Sequence, residues 1–126
     1  MTPTSPSGRV LELPYPPSVN HIWRRMGSRT VLSREGRRYR ASVCAALAAR
    51  RVVRVNGRLE VRVTVCPPDN RRRDLDNVQK SLLDALAKGG AYRDDSQIDR
   101  LVVERGPVTP GGKVLVEITQ LNPHNS

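Results

Sequence analysis

The sequence predicts one two-layer α/β (α+β) domain, a mixed β-sheet packed with two helices. Three observations predict it. Strand-like and helix-like apolar patterns interleave along the chain, which two packed layers accommodate. The length of 126 residues is that of one ordinary domain. Hydrophobic residues at 37%, with 10 prolines and 9 glycines, suit a packed core with well-punctuated loops and exclude a disordered chain.

Residues 1–8 are polar and Pro-rich and read as a flexible extension, with the domain running from 9 to 121 and a tail at 122–126. Arg9 to Leu13 reads as a short strand, stopped by Pro14-Tyr15-Pro16-Pro17, which cannot continue a ladder. Ser18 to Thr30 is expected to be a basic loop holding Asn20, His21, Trp23, Arg24, Arg25 and Arg29. Ser33 is placed to cap a helix in which Tyr39, Val43, Ala46, Leu47 and Arg50 recur at helical spacing. Arg34, Arg37, Arg38 and Arg40 crowd its first turns and oppose the helix dipole, so packing or a bound anion must stabilise it.

Asn56-Gly57 signals a turn. From Leu59 to Cys66 the alternation is clean, with Leu59, Val61, Val63 and Val65 on one face. After Pro67-Pro68 a loop, Asp69 to Asp76, leads to a helix from about Asn77 to Lys88. Leu75, Val78, Leu82, Leu83 and Leu86 supply its apolar face, and Gly89-Gly90 ends it. A short acidic loop, Ala91 to Gln97, precedes strands near Ile98 to Glu104 and Lys113 to Gln120. Gly106 to Gly112 reads as a hairpin loop between them. There is no internal repeat.

Lys and Arg number 22 against 12 acids, a net charge of +10 with a pI near 11.0. Such an excess suits a polyanionic partner, nucleic acid above all, although a solvated basic surface or an Arg-rich codon bias gives the same balance. Cys44 and Cys66 are far apart, without metal-ligand spacing, and fit reduced thiols in a cytoplasmic protein. No apolar run spans a bilayer and no signal peptide is evident, so no membrane partner is expected.

The segment richest in chemistry is Arg71-Arg72-Arg73-Asp74-Leu75-Asp76-Asn77. If the backbone is extended there, Asp74 and Asp76 point the same way and can share a hard cation. Magnesium takes oxygen ligands and keeps several waters, so one or two carboxylates with substrate phosphates suffice. Leu75 would anchor the pair in the core. Lys80, four residues after Asp76, would share its helix face and neutralise a phosphate. The three arginines would clamp flanking phosphates.

A second acidic pair, Asp94-Asp95, follows the helix. About a dozen helical residues carry the chain roughly 18 Å from Asp76. Either the loop brings the pair back, or the pair serves a partner subunit. Three carboxylates holding one or two ions would activate a water and stabilise a leaving 3′ oxygen.

Plainer roles fit the same residues. An Asp before a helix is commonly a cap, Lys80 could pair with Asp84, and Asp94-Asp95 could be a solvated turn. A calcium loop is excluded, because its sixth position would be Gln79 and its twelfth Ala85. His21 and His124 have no zinc-ligand spacing, and no G-x-x-x-x-G-K-S/T loop indicates a nucleotide cofactor. Trp23 could stack on an unpaired base or simply pack in the core.

The ordered motifs P-P-S-x-N (Pro16 to Asn20), P-P-D-x-R-R-R-D-L-D-N-x-Q-K (Pro67 to Lys80), D-A-L-x-K-x-G (Asp84 to Gly90), D-D-x-Q (Asp94 to Gln97) and P-V-T-x-G-G (Pro107 to Gly112) resemble the RusA family of Holliday junction resolvases. The likeness spans about Arg9 to Thr119. It implies a homodimeric endonuclease, often prophage-encoded, that binds branched DNA at four-way junctions. Such enzymes nick two opposing strands symmetrically with magnesium or manganese, in DNA recombination and repair.

By motif match the resemblance implies catalytic and metal-binding roles for Asp74, Asp76 and Asp95 and a functional role for Lys80, with Asp94 and Asn77 in support. A two-fold dimer would supply matched cuts on a near-symmetric junction. Arg71, Arg72, Arg73, Arg24, Arg25, Arg37 and Arg38 are the expected DNA contacts, giving salt-dependent binding directed at branched shape. Family members can carry bulky aromatics before the D-D pair. Here Ala91-Tyr92-Arg93 stands there and the chain has no Phe, so Tyr92, another Tyr or Trp23 would have to wedge a junction open. A less selective nuclease acting on forks, flaps or RNA, or a non-catalytic junction-binding protein, fits the same composition.

Overall fold

The computed structural model describes residues 10–17 and 23–121, with the side chains of 23–26, 29, 30, 76 and 77 outside the description. The expected N-terminal extension, the C-terminal tail, Asn20, His21 and His124 fall outside the described residues.

Strand β4 (Leu59–Cys66) is the centre of the fold because its alternation leaves one fully apolar face. Leu59, Val61, Val63 and Val65 are all at most 3% exposed, whereas Arg62 on the other face is open to solvent. β6 (Lys113–Gln120) lies antiparallel on one flank, matching Val63 to Val116 and Val61 to Ile118. β1 (Val10–Leu13) pairs antiparallel with β6, and β5 (Ile98–Arg105) pairs parallel with β4. The sheet order is therefore β1-β6-β4-β5, a mixed sheet.

Both helices cover the apolar face. Ser33 caps α1 (Arg34–Ala49), its Oγ accepting from the Gly36 amide at 3.0 Å. Tyr39, Val43 and Leu47 face inward. Helix α2 (Asp76–Lys88) buries Val78, Leu82, Ala85 and Leu86. Where α2 ends, a Cβ on Gly89 would come within 2.5 Å of Leu47 Cδ1 and 3.3 Å of Cys44 Cα. The missing side chain lets the two helices close. Arg40 of α1 donates to Asp84 of α2 through two nitrogens, at 3.0 and 2.9 Å. Asp84 thus has an arginine partner from the other helix, a pairing that sequence spacing did not reveal.

Two expectations are corrected. Gly106 to Gly112 is not a hairpin loop: β5 and β6 lie on opposite sides of β4. Helix α2 delivers β5 parallel to β4, since a parallel neighbour needs a crossover, and β6 takes the remaining antiparallel flank. Seven residues easily span the roughly 10 Å between strands two places apart. The second correction concerns Ser18 to Thr30. Within it, β2 (Trp23–Met26) and β3 (Arg29–Leu32) form an antiparallel pair, so Arg24 and Arg25 sit on a strand rather than in a loop.

Cys44 is partly buried on α1 and Cys66 buried at the end of β4, both as free thiols. Among the described residues no helix is long and apolar enough to cross a membrane.

Candidate active site and nucleic-acid interface

The loop between β4 and α2 is folded around one carboxylate. Asp69 Oδ1 accepts from Arg73 Nη1 at 2.6 Å and from the Arg71 amide at 3.0 Å. The Arg73 hydrogen bond, followed by the Arg71 amide, lowers the Asp69 pKa to about 2. The Arg73 guanidinium also lies 6.0 Å from the Tyr15 ring centroid, within range of a cation–π contact. Arg105 reaches back from the end of β5, its Nη2 donating to the Arg73 carbonyl at 3.0 Å.

A groove of about 300 Å³ results, lined in part by Arg71, Arg72, Arg73 and Arg105. Arg71 and Arg72 are exposed, with the Arg71 side chain 81% open, whereas Arg73 is 25% open and committed to Asp69. Two arginines are thus positioned for an anion while the third shapes the loop. Neither Asp69 nor Arg105 was among the residues expected from the sequence. Arg105 becomes legible only once β5 is known to end beside β4: a Cβ on Gly106 would strike Thr64 Cγ2 at 2.7 Å and Cys66 Sγ at 3.0 Å, so glycine holds the chain close there.

Asp74 follows immediately and is exposed. Leu75 packs against the core, as expected, and its carbonyl accepts from the Val78 amide at 3.2 Å. The extended geometry expected between the two acids is not found. Leu75 has φ −64° and ψ −33°, a helical conformation, because α2 starts at Asp76, one residue earlier than expected. The strand alternation that would align the carboxylates therefore does not operate. What the backbone does is set both residues at the N-terminal mouth of α2, where the dipole favours negative charge. The side chains of Asp76 and Asn77 lie outside the described residues. Lys80 is exposed one turn along.

The second acidic pair is built differently. Asp94 caps the 3-10 turn Asp95–Gln97 in a capping box. Gln97 Oε1 accepts from the amides of Arg93 and Asp94 at 2.7 and 3.0 Å, and its Nε2 donates to the Gly57 carbonyl at 2.8 Å. Ser96 Oγ donates to Asp94 Oδ2, the main cause of a lowered Asp94 pKa. Asp95 is exposed. Its neighbour Tyr92 is fully buried, the hydroxyl donating to the Leu83 carbonyl at 3.0 Å. Burial, then the charge and hydrogen bonding of Asp95, raise the Tyr92 pKa.

These contacts place Asp95 beside the middle of α2. Leu83 is seven residues past Asp76, about 10 Å along the helix axis. Among the described residues no cluster of three His, Cys, Asp or Glu forms. Asp95 thus neighbours Tyr92 and the Leu83 turn of α2.

The aromatic candidates for a wedge fare as follows. Tyr92 is core, and Tyr39 is buried with its hydroxyl donating to the Pro14 carbonyl at 2.9 Å. Tyr15 is partly buried beside Arg73. The Trp23 side chain lies outside the described residues, as do those of Arg24 and Arg25. On α1, Arg37 and Arg38 are exposed, and Arg37 donates to the Leu32 carbonyl at 2.9 Å.

A mixed sheet carrying an arginine-lined groove beside an exposed acid defines a domain suited to a phosphodiester backbone. Comparison with known proteins makes this specific. Residues 14–119 match the family model described as Endodeoxyribonuclease RusA. The chain is 44% identical over 110 residues to the crossover junction endodeoxyribonuclease of Enterobacteria phage HK97, covering 86% of this chain and 92% of that protein. It is 38% identical to the enzyme of the same name from Enterobacteria phage 82 and 39% to that of Escherichia coli K12. Each of these covers 88% of this chain and 93% of the relative. The chain belongs to the RusA endodeoxyribonuclease family.

Proposed function

We propose that the chain is a structure-specific endodeoxyribonuclease that resolves four-way DNA junctions by paired symmetric nicks, as a homodimer using magnesium or manganese. The observation that carries the reading is the position of Asp74. It is exposed between Arg73, which lines the groove with Arg71, Arg72 and Arg105, and the start of α2, in a chain whose relatives bear the name crossover junction endodeoxyribonuclease.

The donor chemistry fits a hard cation. Carboxylate oxygens at a helix mouth suit magnesium, which retains waters and shares phosphate oxygens. Asp74 and Asp76 would hold it, with Asp95 as a third donor and Asp94 and Asn77 in support. When bound, the ion supplies Lewis-acid charge that favours hydrolysis of a phosphodiester. The rest falls to the chain's own groups. Arg71 and Arg72 would hold the phosphates flanking the scissile bond. Arg73 keeps the loop in shape through Asp69. Lys80 would neutralise charge developing on the phosphate. Arg37 and Arg38, with Arg24 and Arg25 on the β2–β3 pair, would extend the basic surface along the arms.

The test is a gel assay on a labelled mobile four-way junction beside a linear duplex, with magnesium and with EDTA. Paired symmetric nicks that need magnesium and spare the duplex support the proposal. Equal cutting of both substrates would indicate a general nuclease. Binding without cutting under any divalent ion would indicate a non-catalytic junction-binding protein.

A further inference from the structure

We propose that Gln97 is a positioning residue for the reaction: its side-chain amide holds the turn that presents Asp95 and acts on cutting through that carboxylate. The inference rests on the part given to Asp95 in the reading above.

Asp95 stands on little structure of its own. The 3-10 turn Asp95–Gln97 has three residues and lies between the end of α2 and the start of β5. Asp94, Asp95 and Ser96 are all exposed. Short 3-10 turns have poorer hydrogen-bond geometry than an α-helix. The carboxylate is therefore placed only as well as the backbone beneath it is held.

Gln97 holds that backbone from both ends of one amide. Its Oε1 accepts from the amides of Arg93 and Asp94 at 2.7 and 3.0 Å. Its Nε2 donates to the carbonyls of Gly57 and Val55 at 2.8 and 3.3 Å. A primary amide has two donors and an oxygen with two acceptor sites, so its full capacity is used. A Gln at the third position of a turn ordinarily reaches back to the cap amide and no further. Here the same side chain also grips a segment 40 residues earlier in the chain.

That segment is tied to the sheet. The Leu121 amide, just past β6, donates to the Arg58 carbonyl at 2.8 Å, and the Val55 amide to the Ala91 carbonyl at 2.9 Å. Gln120 Nε2 donates to the Asn56 carbonyl at 2.8 Å. Support for Asp95 thus runs from the sheet through residues 55–58 and the Gln97 amide to the two backbone amides just before it. Arg58 Nη2 adds a bond to the Ser96 carbonyl just after it, at 2.7 Å. Of the two supports Gln97 is the cleaner to remove. It is neutral, whereas Arg58 also pairs with Asp99 and carries a charge that DNA would feel.

Two neutral replacements test the role. Gln97→Met keeps the length and loses every one of these bonds. Gln97→Asn is one methylene shorter and cannot reach the amides and the carbonyls at once. The Gly57 bond is exposed, so water can replace the lost partner there and the fold should survive. Single-turnover cutting of a four-way junction at saturating enzyme should fall about tenfold or more in each, since small misplacements of a reacting group are costly in rate. Junction binding in EDTA should stay within about twofold of the parent, because no phosphate contact is lost. Exchange of the Arg93 and Asp94 amides, followed by NMR on the chain alone, should quicken about tenfold in Gln97→Met. Folded variants that cut at the parental rate overturn the inference. So does unchanged exchange of the two amides, or a loss of junction binding that accounts for the loss of cutting. Asp95→Asn run beside them separates the two readings. If Asp95→Asn cuts like the parent, the role of Asp95 falls. If it is inactive while both Gln97 variants cut normally, only the role of Gln97 falls.

Discussion

Arg73 donates to Asp69 across the turn that precedes Asp74, at 2.6 Å, and so uses its charge on the loop rather than leaving it open. Arg71, two residues earlier, comes only within 3.9 Å of the same carboxylate, and its side chain is 81% exposed. Neighbouring arginines in one motif therefore carry different tasks, and substitution should separate them.

Arg71→Ala should reduce the slope of log binding constant against log salt by about 1. The rate of cutting at saturating enzyme should hardly change. Arg73→Lys keeps the charge but loses the planar fork that grips Asp69. It should preserve the salt slope and slow cutting at saturation. Salt titrations of junction binding with single-turnover cleavage check both, and identical behaviour of the two variants would contradict the division.

The Asp69 carboxylate supplies a pH prediction. Its folded pKa is about 2, below the ordinary 3.8, with the Arg73 hydrogen bond as first cause. A depressed folded value means that the contribution is complete above the unfolded pKa and is lost as pH falls through the folded one. The loop anchor should therefore be intact above about pH 4 and disappear near pH 2. A carboxylate carbon titration by NMR should show Asp69 titrating near the lower value. A midpoint at 3.8 or above would show that the Arg73 bond does not persist in solution.

Gly89→Ala should destabilise the fold although alanine is the better helix former. The new methyl would meet Leu47 Cδ1 at 2.5 Å and Cys44 Cα at 3.3 Å. Forcing the two helices apart should cost about 1–3 kcal/mol in chemical denaturation. A stabilised variant would mean that the helices have room to spare.

Arg40→Ala removes the partner of Asp84 between the helices. The two side chains are 33% and 27% exposed, so solvent screens the pair and a loss of about 1 kcal/mol is expected. That corresponds to about 4 °C in Tm for a domain of this size. Differential scanning calorimetry measures it.

The sheet and helices were largely legible in the sequence because one period dominates each element. The alternation in β4 and in Val114, Val116 and Ile118 of β6 predicts both strands, and the Ser33 cap with Tyr39, Val43 and Leu47 predicts α1. The order of strands was not legible. Glycine-rich residues 106–112 look the same whether they turn a hairpin or cross over β4, and only the competition for β4's two flanks decides.

In the candidate site the motif was visible but its internal division of labour was not. Arg71, Arg72 and Arg73 are alike in sequence; Asp69 and the Tyr15 ring distinguish them in space. Arg105 was hidden because its link to Arg73 spans 32 residues. Tyr92 looked available as a wedge because it neighbours an exposed acidic pair, but its hydroxyl finds the Leu83 carbonyl and draws the ring into the core.

The most direct measurement replaces Asp74 and Asp76 separately with Asn and follows junction cutting and junction binding on the same preparations in magnesium. Asn keeps the shape and removes the charged oxygen donor. Cutting should fall on the order of a hundredfold or more, while binding holds or tightens, since a lost negative charge reduces repulsion of phosphate. Folded variants that still cut at the parental rate, or that lose binding together with cutting, would contradict a metal-holding role for these two aspartates.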